Sequence, residues 1–345
     1  MNKIVNTILI LLALGFLAPA VMRIPVLRSF CKTGSLANEK TSEVCRELII
    51  FHAGSLSVPF KQICDEFGSH YPKVRIFREA AGSRVCARKI VDLHRPCDVI
   101  ASADYTVIDT LLIRGESPAY AEWNIKFASN EIVIAFREDS RRAGEINKNN
   151  WCDILLEKDV TFGRSDPNAD PCGYRAILVI MLAEKLYNRP GLVARILAKD
   201  QRYIRPKEVD LLALLEVGEL DYIFTYRSVA EQHKLRILVL PEEINLKKEE
   251  LSDFYKSASV RLTGKRKGAF MHKVGEPIVY GVTIPKNAPN RKVALAFLAF
   301  LLEADKGGAI LEKNGQTFMV PSPTDTFNKI PNSLKPFALP KAKED

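Results

Sequence analysis

Five histidines in 345 residues, scattered and with no paired spacing, leave little from which to build an ordinary metal enzyme. The seven cysteines (Cys31, Cys45, Cys64, Cys86, Cys97, Cys152, Cys172) match no zinc or redox spacing, and an odd number cannot all pair within one chain. Ser55 has His52 close by in sequence but lies in no nucleophile-elbow motif, and His52 ends a strand facing away from its neighbours. A hydrolase built on Ser55, His52 and Asp104 or Asp166 is therefore the weaker reading. No internal repeat is visible. No second long apolar run follows the one near the N-terminus.

What is present is a well-packed globular composition, 47% hydrophobic and 26% charged. The length exceeds what one core usually supports, so two lobes of ordinary domain size are expected. A net charge of +9 favours anionic partners. Lys and Arg are dispersed, and the densest patches, Lys265-Arg266-Lys267 and Lys247-Lys248, read as solvated surface, so nucleic acid is set aside. Lys3, an apolar run from Ile8 to Val21, and then Arg23, Arg28 and Lys32 make residues 1–30 a secretory signal or an uncleaved anchor. The folded part then begins near Arg46, outside the cytoplasm. Disulfides are permitted there, but Cys64 and Cys86 fall on apolar helix faces and read as buried free thiols.

From residue 48 strands and helices alternate. Leu48-Ile49-Ile50-Phe51 is a short apolar run of the kind buried on both faces. Leu56, Phe60, Ile63, Cys64 and Phe67 then recur at helical spacing, with Gly68 as the expected stop. Val74 to Phe77, the Gly82-Ser83 turn, the helix face Val85, Ile90 and Leu93, and a strand from Asp98 to Ala101 continue the pattern. These repeats predict a parallel sheet with helices on both faces. A second phase starts at Ile132–Phe136 and runs through a strand at 160–164, a loop at 165–173 and a helix at 174–187. Further expected elements are a helix at 211–215, strands at 221–226 and 277–284, and a helix at 292–302. The expected organisation is one lobe of residues 46–132 plus 276–325, a second of 133–275, and a tail of 326–345.

Ligands of open α/β sheets sit beyond the carboxyl ends of strands. Gly54-Ser55, Gly82-Ser83 and Cys172-Gly173 each run from a strand or loop into a helix. Each offers free N–H groups and the positive end of a helix dipole, and the serines add hydroxyls. One such turn is an ordinary helix start; three across two lobes can converge on one anion.

Several segments together resemble one known family. They are Phe51-His52-Ala53-Gly54-Ser55-Leu56, Ala81-Gly82-Ser83, 98–105, the long block from Gly163 to Arg175, and Tyr226-Arg227-Ser228-Val229-Ala230. They are similar to the tungstate/molybdate-binding proteins of ABC transporters, in the branch best known from archaea, and the likeness extends from about 48 to 323. The resemblance implies an α/β fold of the type II periplasmic-binding kind, with a ligand cleft between two lobes. It implies Ser55 and Ser83 as donors from one lobe, and Asp170, the Cys172 N–H, Glu208 and Tyr226 from the other. Asp170 and Glu208 are the carboxylates that would bond the Mo or W centre, with Asp166 as runner-up to Asp170. The segment from Asn188 to Tyr203 is shorter than archaeal members carry, which bears on where Glu208 falls. The implied role is exported and non-catalytic: a monomer with no cofactor that delivers its oxyanion to a membrane permease and its ATPase. A receptor for sulfate or phosphate is the alternative of the same class; an extracytoplasmic sensor or hydrolase is the alternative of another.

Overall fold

The computed structural model describes residues 46–114, 118–199, 201–264 and 268–341. The N-terminal signal or anchor, Cys31, Cys45 and the Lys265-Arg266-Lys267 patch lie outside them. Among the described residues no helix is long and apolar enough to cross a membrane.

The strands in chain order are β1 (Arg46–Ala53), β2 (Val74–Ala81), β3 (Val99–Ser102), β4 (Ile125–Asn130), β5 (Ile132–Phe136), β6 (Phe162–Ser165), β7 (Ile204–Arg205), β8 (Tyr222–Tyr226), β9 (Arg236–Val239), β10 (Ser259–Thr263), β11 (Phe270–Val274), β12 (Ile278–Thr283) and β13 (Thr317–Phe318). They form a six-stranded sheet ordered β13-β4-β12-β3-β1-β2, a five-stranded sheet ordered β7-β6-β8-β5-β9 and a separate antiparallel hairpin of β10 and β11. With the helices packed between and around them, this is the type II periplasmic-binding fold.

Neither sheet is purely parallel, which corrects the expectation. β1 runs parallel to β2 and β3, but β12 is antiparallel to β3 and β4. The reason is the crossing between sheets. β4 leaves the first sheet at Asn130, β5 begins the second at Ile132, and β12 re-enters beside the exit with Ile278 opposite Asn130. A strand that enters where its neighbour leaves must run the other way. The first helix also departs from expectation: it spans Ser57–His70 and passes through Gly68. A mid-helix glycine costs only about 1 kcal/mol relative to alanine. Here the adjoining Phe67 is fully buried against Phe297, Phe300 and Tyr71, which more than offsets it.

Burial follows the sequence pattern. Leu48 and Ile50 of β1, all of β3 and β5, and the helix Pro171–Leu186 are almost wholly buried, and one apolar cluster runs through both sheets. Cys64, Cys86, Cys97, Cys152 and Cys172 are buried free thiols. Burial pushes the Cys64 and Cys86 thiols up to about 12, so both are inert at neutral pH. After β13 the chain forms a short strand Ser322–Thr324, 3-10 turns, and a strand Ala338–Pro340 parallel to it, with Ile330 and Leu334 buried.

What matters for the site is direction. The carboxyl ends of β1, β2 and β3 lead into the Gly54-Ser55, Gly82-Ser83 and Ala103-Asp104 turns. In the second sheet β6, β7 and β8 are parallel, and their carboxyl ends lead to the Asp166–Asp170 loop, to Glu208 and to Tyr226.

Candidate functional site

The helix Pro171–Leu186 starts as its residues dictate. Asp170 has extended backbone angles, accepts from the Cys172 N–H through Oδ1 at 3.3 Å, and is followed by Pro171 in the first turn. Its other oxygen, Oδ2, accepts from the Glu208 N–H at 2.8 Å. So Asp170 is a helix cap that also ties two loops of the second sheet together. The Cys172 N–H is spent on that cap.

Glu208 is different. Its side chain is 1% exposed, and neither Oε1 nor Oε2 has a hydrogen-bond partner. The carboxylate lies against the first sheet's turn: a Cβ at Gly54 would sit 3.3 Å from Oε2 and 3.4 Å from Oε1. Burial first, and the Asp170 carboxylate second, raise its pKa well above the ordinary 4.5. An acid left buried and unpartnered costs several kcal/mol unless something binds it.

Ser55 and Ser83 are also buried. Ser55 Oγ accepts from the Tyr280 hydroxyl at 3.1 Å, and Ser83 Oγ from the Ala103 N–H at 2.9 Å. Tyr226, fully buried, accepts from Arg175 Nη1 at 2.8 Å and packs 6.0 Å from the Tyr280 ring. The same Arg175 nitrogen donates to Ala103 O at 2.6 Å. Gly82 closes against Ala169, whose carbonyl oxygen would be 2.3 Å from a Cβ there. These contacts form a ring: Ser55, Tyr280, Tyr226, Arg175, Ala103, Ser83, Gly82, Ala169, Asp170, Glu208, Gly54 and back to Ser55. Every residue expected to bind the anion is on it or, like Cys172, bonded to it.

Asp166 is not. It is half-buried, with Oδ1 accepting from the Asn168 N–H at 2.8 Å, so its carboxylate serves its own loop. His52 does not serve Ser55 either. Its Nδ1 pairs with Ala53 O, its ring packs 5.3 Å from Phe60, and burial lowers its pKa to about 4. Among the described residues no group of three or more His, Cys, Asp or Glu could hold a metal ion.

Arg175 and Tyr280 were not singled out from the sequence. Arg175 is 1% exposed, with Nη2 unbonded and 3.8 Å from Asp104 Oδ2. Burial opposes its charge, yet Tyr226 and Asp104 more than offset that and hold its pKa above the usual value. Asp104 in turn is kept well below the carboxylate range despite its burial, by Lys273 at 2.9 Å and by Arg175.

The extracellular solute-binding family model for bacteria matches residues 48–317. The chain belongs to this family of extracellular solute-binding proteins. It is 51% identical over 296 residues to an uncharacterized solute-binding protein of Petrotoga mobilis, covering 86% of this chain and 91% of that one. It is 42% identical over 350 residues to the molybdate/tungstate-binding protein WtpA of Thermococcus kodakarensis, covering 93% of this chain and 95% of that one. Among solved structures, the periplasmic molybdate-binding protein of Azotobacter vinelandii superposes with a TM-score of 0.57 at 17% identity, covering 79% of this chain and 99% of that one. That likeness shows the shared fold. The family is one of extracellular solute-binding proteins.

The raised Glu208 carboxyl gives a pH test in the ligand-free protein. In the unfolded chain the group titrates near 4.5; in the fold its pKa is higher, so the folded state holds the proton more tightly. Its contribution to stability is complete below the unfolded value and is lost as pH rises through the folded one. Gln at this position never ionises. The stability of Glu208→Gln relative to the unmodified protein should therefore grow as pH rises above the ordinary carboxyl value of 4.5, as measured by denaturant midpoints. His52 titrates in both proteins and cancels from the difference. A difference that does not change with pH would show that Glu208 is not held protonated.

Proposed function

We propose that this chain is the extracytoplasmic substrate-binding component of an ABC transporter and that its ligand is tungstate or molybdate. The observation that carries the ligand assignment is Glu208: two buried, unpartnered carboxylate oxygens beside Asp170, on a ring otherwise furnished with hydroxyl donors. Facing an ordinary oxyanion, Asp170 and an ionised Glu208 repel. Mo(VI) and W(VI) accept additional oxygen ligands and expand from four to six, so the same carboxylates can bond the metal centre. Sulfate and phosphate accept no such bond, and the repulsion works against them. The 42% identity to a molybdate/tungstate-binding protein supports this reading.

In this proposal residues 46–132 plus 276–325 form one lobe and 133–275 the other, and the arrangement described is the shut one. The anion enters between separated lobes, Ser55 and Ser83 meet it from one side and Asp170, Glu208 and Tyr226 from the other, and closure completes the shell. The shut form then docks on a permease driven by an ATPase. No cofactor and no turnover are involved.

Micromolar tungstate or molybdate should raise the melting temperature on the order of 10 °C, since ligand at about a thousand times its dissociation constant stabilises by about 4 kcal/mol. Millimolar sulfate should not. A melt that neither metal oxyanion shifts would overturn the assignment, and an equal shift by sulfate would favour a general oxyanion receptor.

A further inference from the structure

Three of the four hydroxyls on the ring, those of Ser55, Ser83 and Tyr226, are each met by a fixed donor. Tyr280 donates to Ser55 Oγ at 3.1 Å, and its own oxygen accepts from Asn130 Nδ2 at 3.1 Å, which leaves the Tyr280 proton free for Ser55. The Ala103 N–H donates to Ser83 Oγ at 2.9 Å. Arg175 Nη1 donates to the Tyr226 oxygen at 2.8 Å and holds Ala103 through its carbonyl at 2.6 Å. A hydroxyl has one proton, and a guanidinium or amide N–H can only donate. Ser83 and Tyr226 therefore take their structural hydrogen bonds as acceptors and keep the proton, and Ser55 does the same with the Tyr280 hydroxyl as its donor. Among the described residues none of the three spends it on a protein group.

We propose that Tyr280, set by Asn130, together with Arg175 and the Ala103 amide, forms a layer of positioning donors that turns all three hydroxyl protons onto the bound anion. The hydroxyl side of the cavity is then donor-only, and the capacity to accept is confined to Asp170 and Glu208. Such a cradle selects an oxyanion with no proton of its own on that side. The inference rests on the oxyanion reading above and adds to it the residues that orient its donors. None of the positioning residues needs to touch the ligand. Tyr280 is the one that can be tested without breaking the fold: it is uncharged, and Asn130 keeps a second partner in Ser228 Oγ at 2.7 Å when the Tyr280 oxygen is removed.

The test is a double-mutant cycle read by calorimetric titration with tungstate. Tyr280→Phe should weaken tungstate about tenfold, the scale of one misdirected hydrogen bond to a charged group. Ser55→Ala should weaken it by about tenfold or more. In the Ser55→Ala background Tyr280→Phe should have no further effect, because the hydroxyl it orients is gone. In a Ser83→Ala background its tenfold effect should persist. A loss of the same size with and without Ser55 would mean that Tyr280 acts through packing, and it would overturn the inference, as would unchanged binding by Tyr280→Phe. Failure of the unmodified protein to bind tungstate would instead overturn the oxyanion reading, so the two failures are distinguishable.

Discussion

Replacing Glu208 with Gln is expected to weaken tungstate binding by about a hundredfold while leaving sulfate no weaker. The argument is one of sign. A Glu208 carboxyl that gives up its proton to an expandable metal gains a bond with tungstate, whereas sulfate offers it no such bond and is only repelled once the group ionises. Gln keeps the length and the shape, so the contact with Gly54 survives and the change removes charge and ligand strength alone. The Glu208 N–H that donates to Asp170 belongs to the backbone and also survives. Glu249→Gln, at an exposed position, should do neither, since exposed charges beyond a Debye length of about 8 Å are largely screened. Tungstate bound by Glu208→Gln as tightly as by the unmodified protein would leave the unpartnered oxygens without a role and defeat the two-carboxylate model at that position.

A methyl group at Gly82 should be as damaging to binding as that charge change, and for a purely steric reason. Gly82 has φ −57° and ψ 138°, a conformation open to any residue. What forbids a side chain is Ala169 O, 2.3 Å from where Cβ would stand. Ala169 belongs to the opposite sheet's loop, so under the proposed closure the overlap exists only in the shut form. In the proposed open form Gly82→Ala has room. The expectation is near-normal stability without ligand, together with loss of tungstate affinity by at least about a hundredfold, because closure has to overcome the overlap. Gly173→Ala is the contrast. Its Cβ would stand 2.3 Å from Ser165 O, at the end of the strand β6 that leads through one loop to Gly173's own helix, so that variant should melt several degrees lower with or without ligand. If Gly82→Ala lowers the ligand-free melt as much as Gly173→Ala does, the contact is permanent and the two-lobe opening is wrong.

Much of the site could be read from the chain because its parts are local. A strand running into Gly-Ser and then a helix is visible within six residues, and so is Asp170 ahead of Pro171. Glu208 was legible only through resemblance. Nothing in its own neighbourhood distinguishes it from a solvated first-turn residue; its burial comes from Gly54, more than 150 positions away. Arg175 and Tyr280 stayed hidden for the same reason. Tyr280 stands in an apolar strand where an aromatic is ordinary, and its role exists only once β12 returns beside β4 and brings it to Ser55. The mixed direction of the first sheet was missed because local alternation reports helices and strands but not which way a returning strand enters. The hairpin of β10 and β11 carries short strands, mostly half-exposed or exposed, with no strong pattern, and it too went unread.

That hairpin bears on timing. Arg84, on the first sheet's helix Ser83–Val91, is 2% exposed and reaches across to donate to Asn168 O at 3.1 Å and Thr263 O at 2.7 Å, while Lys273 reaches back to Asp104 and Thr106. In the proposed function an anion held between the sheets leaves only after these bonds open. Escape therefore waits on unfastening a charged clasp that the anion itself does not touch. Under the proposed function this clasp adds to the residence time of a bound anion beyond what the ligating ring sets. A transporter that docks on this rim could loosen the clasp and hasten release without altering a single contact to the ion.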